Sequence, residues 1–230
     1  MTDTNNAVPR HLGIILDGNR RWAKEQGLKT LEGHQKGAEA FREIVYAALD
    51  RGVEFISAYV FSTENWQRTQ EEVSYLMGLV LKVVDKYLDE FHQKGVKILI
   101  LGSKEGLDSK TIKALDQTVA KTAGNTNGTV ALCFNYGGQQ EIIDGIKSLP
   151  EAEKADLTPV KFEQYLYSKE VPAVDLVLRT SGEQRTSGFM LWRATYAELM
   201  FVDKFWPDFS VQDLDEVLAE YKSRNRRFGK

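Results

Sequence analysis

A single cysteine among 230 residues permits no intrachain disulfide and suits a reducing compartment. That residue, Cys133, lies inside the apolar run "VALCFNY" and reads as core. Proline is scarce, with five residues, and no internal repeat, low-complexity tract or convincing linker interrupts the chain. No stretch approaches the roughly 18 apolar residues of a membrane span. The first ten residues, "MTDTNNAVPR", lack the apolar segment of a signal peptide. A cytoplasmic protein is the expectation. An excess of positive charge is also missing: Lys and Arg number 30 against 33 Asp and Glu, for a net charge of −3. Nothing in the overall field therefore suggests nucleic-acid binding. Neither GxxxxGK[ST] nor GxGxxG occurs, which removes the common nucleotide-binding signatures, and no Cys/His cluster suits zinc.

What remains is an ordinary globular composition, 42% hydrophobic and 27% charged, in which short apolar runs alternate with longer amphipathic ones. The runs at 11–16, 55–61, 96–101, 130–136 and 174–180 predict strands, with 198–202 as a sixth. They are continuous rather than alternating, as in strands covered on both faces. Helical spacing places Ala38, Phe41, Val45, Ala48 and Leu49 on one face of residues 34–51. It extends through residues 70–94, which Gly95 ends. Alternation of this kind predicts an α/β fold of one domain, a mostly parallel sheet of about six strands flanked by helices, over residues 11–230 behind a flexible stretch 1–10.

Each polar cluster follows a strand. Asp17, Gly18, Asn19, Arg20 and Arg21 follow the first, and Ser62 to Trp66 the second. Asn135 to Gly138 follow the fourth, and Arg179 to Gly182 the fifth. Ligands of parallel sheets bind at the carboxyl ends of strands, so these clusters should converge. They bring together Arg20, Arg21, Arg68, Arg179 and Arg185, the hydroxyls of Ser62, Thr180, Ser181 and Ser187, and one carboxylate, Asp17. Arginine forks match phosphate, and a lone carboxylate beside phosphates suits Mg²⁺. Trp22, Tyr59, Phe61 and Trp66 sit among these groups, and the long amphipathic helix runs beside them, which suggests an amphiphile with a charged head and a hydrocarbon tail. Taken singly, each feature has a plainer reading. "DGNRR" makes a turn with exposed charges, His34 caps the helix that follows it, the stripe on 70–94 is core, and "SRNRRFG" is a solvated basic tail.

The segments "LDGNRRWA", "GHQKG", "YVFSTENWQR", "FNYGG" and "DLVLRTSGEQRTSGFMLWRATYAELMFVDKFWPDF" resemble the cis-prenyltransferases, the family of undecaprenyl diphosphate synthase. The likeness runs in order from about residue 11 to Gly229. It implies a homodimer with a hydrophobic tunnel in each subunit, no nucleic-acid partner, and at most peripheral contact with the membrane into which product partitions. It also implies Mg²⁺-dependent, repeated addition of isopentenyl diphosphate to an allylic diphosphate such as farnesyl diphosphate, each step making a Z double bond. By position it makes Asp17 the residue that engages Mg²⁺ and diphosphate, with Glu198 as a further metal ligand. Gly18, Asn19, Arg20 and Arg21 become the allylic-diphosphate loop, which Trp22 adjoins and Arg68 assists. Arg179, Arg185 and Ser187 become the isopentenyl-diphosphate site. His34, Ser62 and Asn65 match positions of substrate handling and proton removal, and Phe61 and Trp66 match residues that pack on substrates. Arg227 and Gly229 match an ending that reaches the partner subunit's site.

Some positions depart from the family's usual pattern. Arg20 stands where many bacterial members have glycine, and Thr30 where arginine is frequent, with Lys29 as a possible substitute. Gln184 replaces a common histidine, Thr69 a common proline and Gly188 a usual asparagine. Two rival readings stay open at this level. One is a non-catalytic subunit of a heterodimeric synthase, against which Asp17, Arg179 and Arg185 argue. The other is a nucleotide-binding module, against which the missing glycine fingerprints argue. Product length stays open among short, medium and long chains, with the long carrier-lipid precursor favoured.

Overall fold

Residues of the apolar runs alternate between two cores, which is why the runs are continuous. In the first strand, β1 (His11–Ile15), Leu12 and Ile14 join one apolar cluster and Ile15 the other. The same division separates Leu176 and Leu178 from Val177 in β5 (Leu176–Arg179). The remaining strands are β2 (Phe55–Ser62), β3 (Lys97–Leu101), β4 (Thr129–Tyr136) and β6 (Glu198–Phe201). The computed structural model describes residues 8–167 and 169–224. Arg227 and Gly229 therefore lie outside the described residues, as does most of the stretch expected to be flexible at the amino end.

All five strand pairings are parallel, in the order β3-β4-β2-β1-β5-β6. The sheet is thus fully parallel, where a mostly parallel one was expected, and 198–202 does supply the sixth strand. Among the described residues seven helices flank it: α1 (Asn19–Glu25), α2 (Thr30–Asp50), α3 (Gln70–Gln93), α4 (Ser109–Thr122), α5 (Gly138–Ser148), α6 (Pro159–Phe162) and α7 (Val211–Ser223). The whole is a single domain. β1 has β2 on one side and β5 on the other, so the winding reverses there, and the crevice of such a sheet opens at the carboxyl ends of that pair.

Helix α2 begins four residues before the predicted start. The Glu32 carboxylate accepts the Lys29 N–H at 2.9 Å and tethers the first turn, so His34 lies within the helix and does not cap it. Thr69, where the family commonly has proline, caps α3: its hydroxyl oxygen accepts the Glu72 N–H at 3.3 Å. Two glycines on one face of α2 let α1 approach. A Cβ on Gly33 would stand 2.2 Å from the Asn19 carbonyl oxygen, and one on Gly37 would stand 2.1 Å from Asn19 Oδ1. The "GHQKG" motif is therefore, in part, a docking surface for the loop that carries Asp17.

Candidate active site

The loop after β1 turns on Gly18, in the left-handed region at φ 105°, where a Cβ would press 2.8 Å from the Phe205 ring. The turn leaves the Asp17 carboxylate at the β1–β5 crevice. Its Oδ1 accepts the Gly18 N–H at 2.7 Å and Arg21 Nη2 at 3.3 Å, and its Oδ2 accepts Arg179 Nη2 at 2.7 Å. Partial burial by itself would raise this carboxyl's pKa, but the hydrogen bond and charge of Arg179 and the charge of Arg21 outweigh it and hold it below the ordinary value. The Thr180 hydroxyl fixes the loop from β5 by donating to the Asp17 carbonyl at 2.7 Å.

Arg179 is almost fully buried. It donates to the Arg185 carbonyl at 2.6 Å, to Ser187 Oγ at 2.9 Å and to Asp17. Arg21 donates to Ser181 Oγ, and also approaches Glu183, which pairs in turn with the exposed Arg185. On the opposite rim Glu72 gathers Arg68 at 2.8 Å, Arg20 at 3.7 Å and His34 at 3.8 Å. Burial, followed by the repulsion of Arg68, lowers the His34 pKa to about 4, so its imidazole is neutral near pH 7. Five guanidinium groups and Lys24 thus face the carboxylates of Asp17, Glu64, Glu72 and Glu183, a surplus of positive charge held in place before any ligand arrives.

Two further observations mark this edge of the sheet. Four of the five buried side-chain polar atoms without a partner among the described residues belong to Asn19, Trp22, His34 and Arg179. Orphaned buried groups are uncommon in folded proteins, and these four come from the clusters that follow β1 and β5 or from the helix packed on them. Among the described residues, the non-glycine residues with positive φ are Asn135, Ser181, Ser187 and Met190, all at the end of β4 or in the turn after β5. Strain of this kind, about 1–3 kcal/mol each, concentrates where function over-determines the backbone.

These loops form the mouth of a cavity of about 1560 Å³. That exceeds the roughly 300–1,000 Å³ of ordinary small-molecule sites. Asp17, Gly18, Asn19, Arg20, Arg21, His34, Ser62, Asn65, Arg68, Arg179, Arg185 and Ser187 line it. Below them the lining turns apolar, with Phe41 from α2, Leu76, Val80 and Val84 from α3, and Ile98, Val130 and Leu132 from the sheet. Other sequence candidates lie elsewhere. Phe61 is buried in the core against Trp66 and Phe134, and Trp66 donates its indole N–H to Asn135 Oδ1 at 2.7 Å. Neither these two nor Trp22 belongs to the lining. Glu198 stands at the amino end of β6, far from the crevice, with its carboxylate 3.1 Å from Arg224. Lys29 is exposed outside the cavity, and Lys24 is the lysine that lines it.

Sequence reasoning missed Glu72 and Glu183, the counter-ions that hold the arginines. The first was readable as an acid four residues after Arg68, the helical pairing distance. Asn65 shows a second duty besides lining: its Oδ1 accepts the Ser62 N–H at 3.0 Å and closes the turn after β2. A Mg²⁺ ion fits this donor set in one way. Among the described residues no group of three His, Cys, Asp or Glu side chains forms a cage, so Asp17 would contribute a single carboxylate and phosphate oxygens the rest.

The family model described as "Putative undecaprenyl diphosphate synthase" matches residues 15–229. The isoprenyl transferase of Thermotoga maritima is 43% identical over 226 residues, covering 96% of this chain and 97% of that one. The ditrans,polycis-undecaprenyl-diphosphate synthase ((2E,6E)-farnesyl-diphosphate specific) of Micrococcus luteus is 38% identical, covering 96% and 92%. A crystal structure of lavandulyl diphosphate synthase from Lavandula x intermedia, in complex with dimethylallyl diphosphate, superposes with a TM-score of 0.93 at 30% identity, over 97% of this chain and 99% of that one. With an arginine-rimmed mouth, an apolar interior and these relatives along nearly its whole length, the chain belongs to the undecaprenyl diphosphate synthase family and is a prenyl transferase.

Proposed function

We propose that the chain condenses isopentenyl diphosphate with an allylic diphosphate, farnesyl diphosphate being the preferred starter, and repeats the step to build a long Z-prenyl diphosphate of the undecaprenyl type. The observation that carries this reading is one large cavity, charged at its mouth and mostly apolar below it. The farnesyl specificity in the name of the Micrococcus relative and the dimethylallyl ligand of the Lavandula structure, both allylic diphosphates, support the starter.

Two diphosphates repel, and the five arginines offset that repulsion. Arg20, Arg21 and Arg68, with Gly18 and Asn19, hold the allylic head, and Arg179, Arg185 and Ser187 hold the isopentenyl head. Asp17 lies between the two groups and would hold Mg²⁺, which supplies charge neutralisation at the leaving diphosphate. The metal is assigned to Asp17 and phosphate oxygens without Glu198. Arg21 stabilises the charge that grows on the leaving group as the allylic C1–O bond breaks, a role worth several kcal/mol in a dry site. Alignment of C4 of isopentenyl diphosphate on that carbon supplies much of the remaining acceleration. The C2 proton then leaves, and neutral His34 or a Ser62–Asn65 relay stands on the rim to take it. Each added unit slides into the apolar interior, and burial at about 0.8 kcal/mol per CH₂ favours that direction.

The same reading makes the chain a homodimer acting in the cytoplasm. Ile143 and Ile146 on α5, Val160 on α6, and Leu191 and Tyr196 in the turn after β5 are all exposed on neighbouring elements. An apolar surface of this sort supports a second copy as its cover. The deciding experiment supplies farnesyl diphosphate, radiolabelled isopentenyl diphosphate and Mg²⁺ to the purified chain and separates the dephosphorylated products by thin-layer chromatography. A ladder of polyprenols is expected, and no incorporation would overturn the assignment.

A further inference from the structure

The cavity is not equally walled on all sides. The sheet closes one flank, whereas α2 and α3 close the opposite one, and the seam between them is thin. Ala38, Leu79, Val83 and Tyr87 line both the large cavity and a separate groove of about 390 Å³ on the other side of the same helices. Gly78 contributes to this thinness, since a Cβ there would meet nothing within 4 Å. Near the mouth the seam is tied by the Tyr75 hydroxyl, which donates to the Leu31 carbonyl at 3.2 Å.

At the deep end a different fastening appears. Arg42 of α2 grips Glu90 of α3 with two prongs, Nη2 to Oε1 at 2.7 Å and Nε to Oε2 at 2.9 Å. The guanidinium also stacks on two rings, 5.6 Å from the centre of Tyr46 and 5.5 Å from that of Tyr87. Phe91 packs behind it, 5.3 Å from Tyr46. Glu90 is eighteen residues beyond Glu72 of the mouth, roughly 27 Å along a helix axis at about 1.5 Å per residue. Arg42 lies eight residues beyond His34 of the mouth, roughly 12 Å along α2, so the clasp sits past the mouth on both helices. Arg42 and Tyr87 nevertheless line the cavity, beside Ile98 and Val130 at the amino ends of β3 and β4.

We infer that the Arg42–Glu90 clasp shuts the deep end of the α2–α3 seam and so limits the length of prenyl chain that the cavity accepts. This rests on the elongation reading above. An apolar wall yields to a growing hydrocarbon by shifting rotamers and leaves nothing unsatisfied. A two-pronged ion pair does not yield that way, because parting the helices breaks both hydrogen bonds and lifts the guanidinium off two rings. The clasp marks a stop: a five-carbon addition that no longer fits must leave its end in the mouth, where elongation stalls.

The test compares the product ladders of the full chain and its variants at saturating isopentenyl diphosphate. Glu90→Gln keeps the shape of the side chain and removes its charge, and Arg42→Ala removes the clasp. Both should shift the longest product upward by at least one five-carbon unit, with the rate of the first addition unchanged. The exchanged pair, Arg42→Glu with Glu90→Arg, should bring the ladder back toward that of the unmodified chain. Ladders of unchanged or shorter length in both single variants, with first addition intact, would overturn the clasp as a stop and leave the elongation reading standing. An unmodified chain that makes no ladder would overturn both.

Discussion

Arg20 and Arg21 occupy the first turn of α1, the end at which a helix dipole favours anions, and no acidic residue shares that turn. Their placement works against the isolated helix; Glu72, Asp17 and Glu183 offset it in part, and a bound anion would offset it further. Asp17 works differently. A loop carboxylate read from sequence has no core role, but here it is the counter-ion of the buried Arg179. Asp17→Asn should therefore lower kcat by at least about a thousandfold, roughly 4 kcal/mol, and should also lower stability by about 1–3 kcal/mol through the weakened pair. Steady-state kinetics in excess Mg²⁺ and urea unfolding check the two parts separately. Buried histidines set a pH dependence. His11, between Ser57 Oγ at 2.8 Å and the Pro172 carbonyl at 3.0 Å, has its pKa lowered by burial from 6.5 to about 4. Between those values the unfolded chain takes up a proton that the folded chain refuses. Stability is thus full above pH 6.5 and falls as pH drops toward 4, by about 3 kcal/mol for this residue. A urea midpoint that stays flat from pH 7 to 4.5 would contradict it.

At the scale of elements, the contact between α1 and α2 positions the Asp17 loop. Gly37→Ala would drive a methyl group into Asn19 and push α1 outward, taking Arg20 and Arg21 with it. The expected result is a stability loss of about 1–3 kcal/mol, with a higher KM for the allylic substrate than for isopentenyl diphosphate. Equal changes in both KM values would mean that the loop moves as a whole with β5. The inner strands were legible because both of their faces are covered, so apolar runs stand out without alternation; the edge strand β6, with Leu199 exposed, was the weakest of the six. The start of α2 was not, since Lys29 is no ordinary cap and Glu32 performs the tethering. The arginines and Asp17 were readable from their position after strands. Glu72 was legible only as a helical neighbour of Arg68, and Glu183 was not, because a counter-ion is recognised by what it meets in space. Phe61 illustrates the converse: an aromatic beside a polar cluster reads as a ligand contact, whereas the parallel sheet turns it into the core.

For the molecule as a whole, the exposed apolar residues on α5, α6 and the turn after β5 make a prediction about assembly. Ile146→Asp with Val160→Asp should shift sedimentation from dimer to monomer, and an unchanged dimer would place the interface elsewhere. The winding reversal at β1 has a consequence of another kind, in the time domain. Asp17 and Arg179 are 162 residues apart in the chain. At synthesis rates of about 5–20 residues per second, Arg179 follows Asp17 by roughly 8–30 s. Through that interval β1 can pair with β2, but its other edge is bare until β5 emerges, and such long-range parallel pairing is slow. The strand that leads into the Asp17 loop is thus among the first to leave the ribosome and gains its second neighbour late, so the Asp17–Arg179 pair cannot form until about four-fifths of the chain has been made.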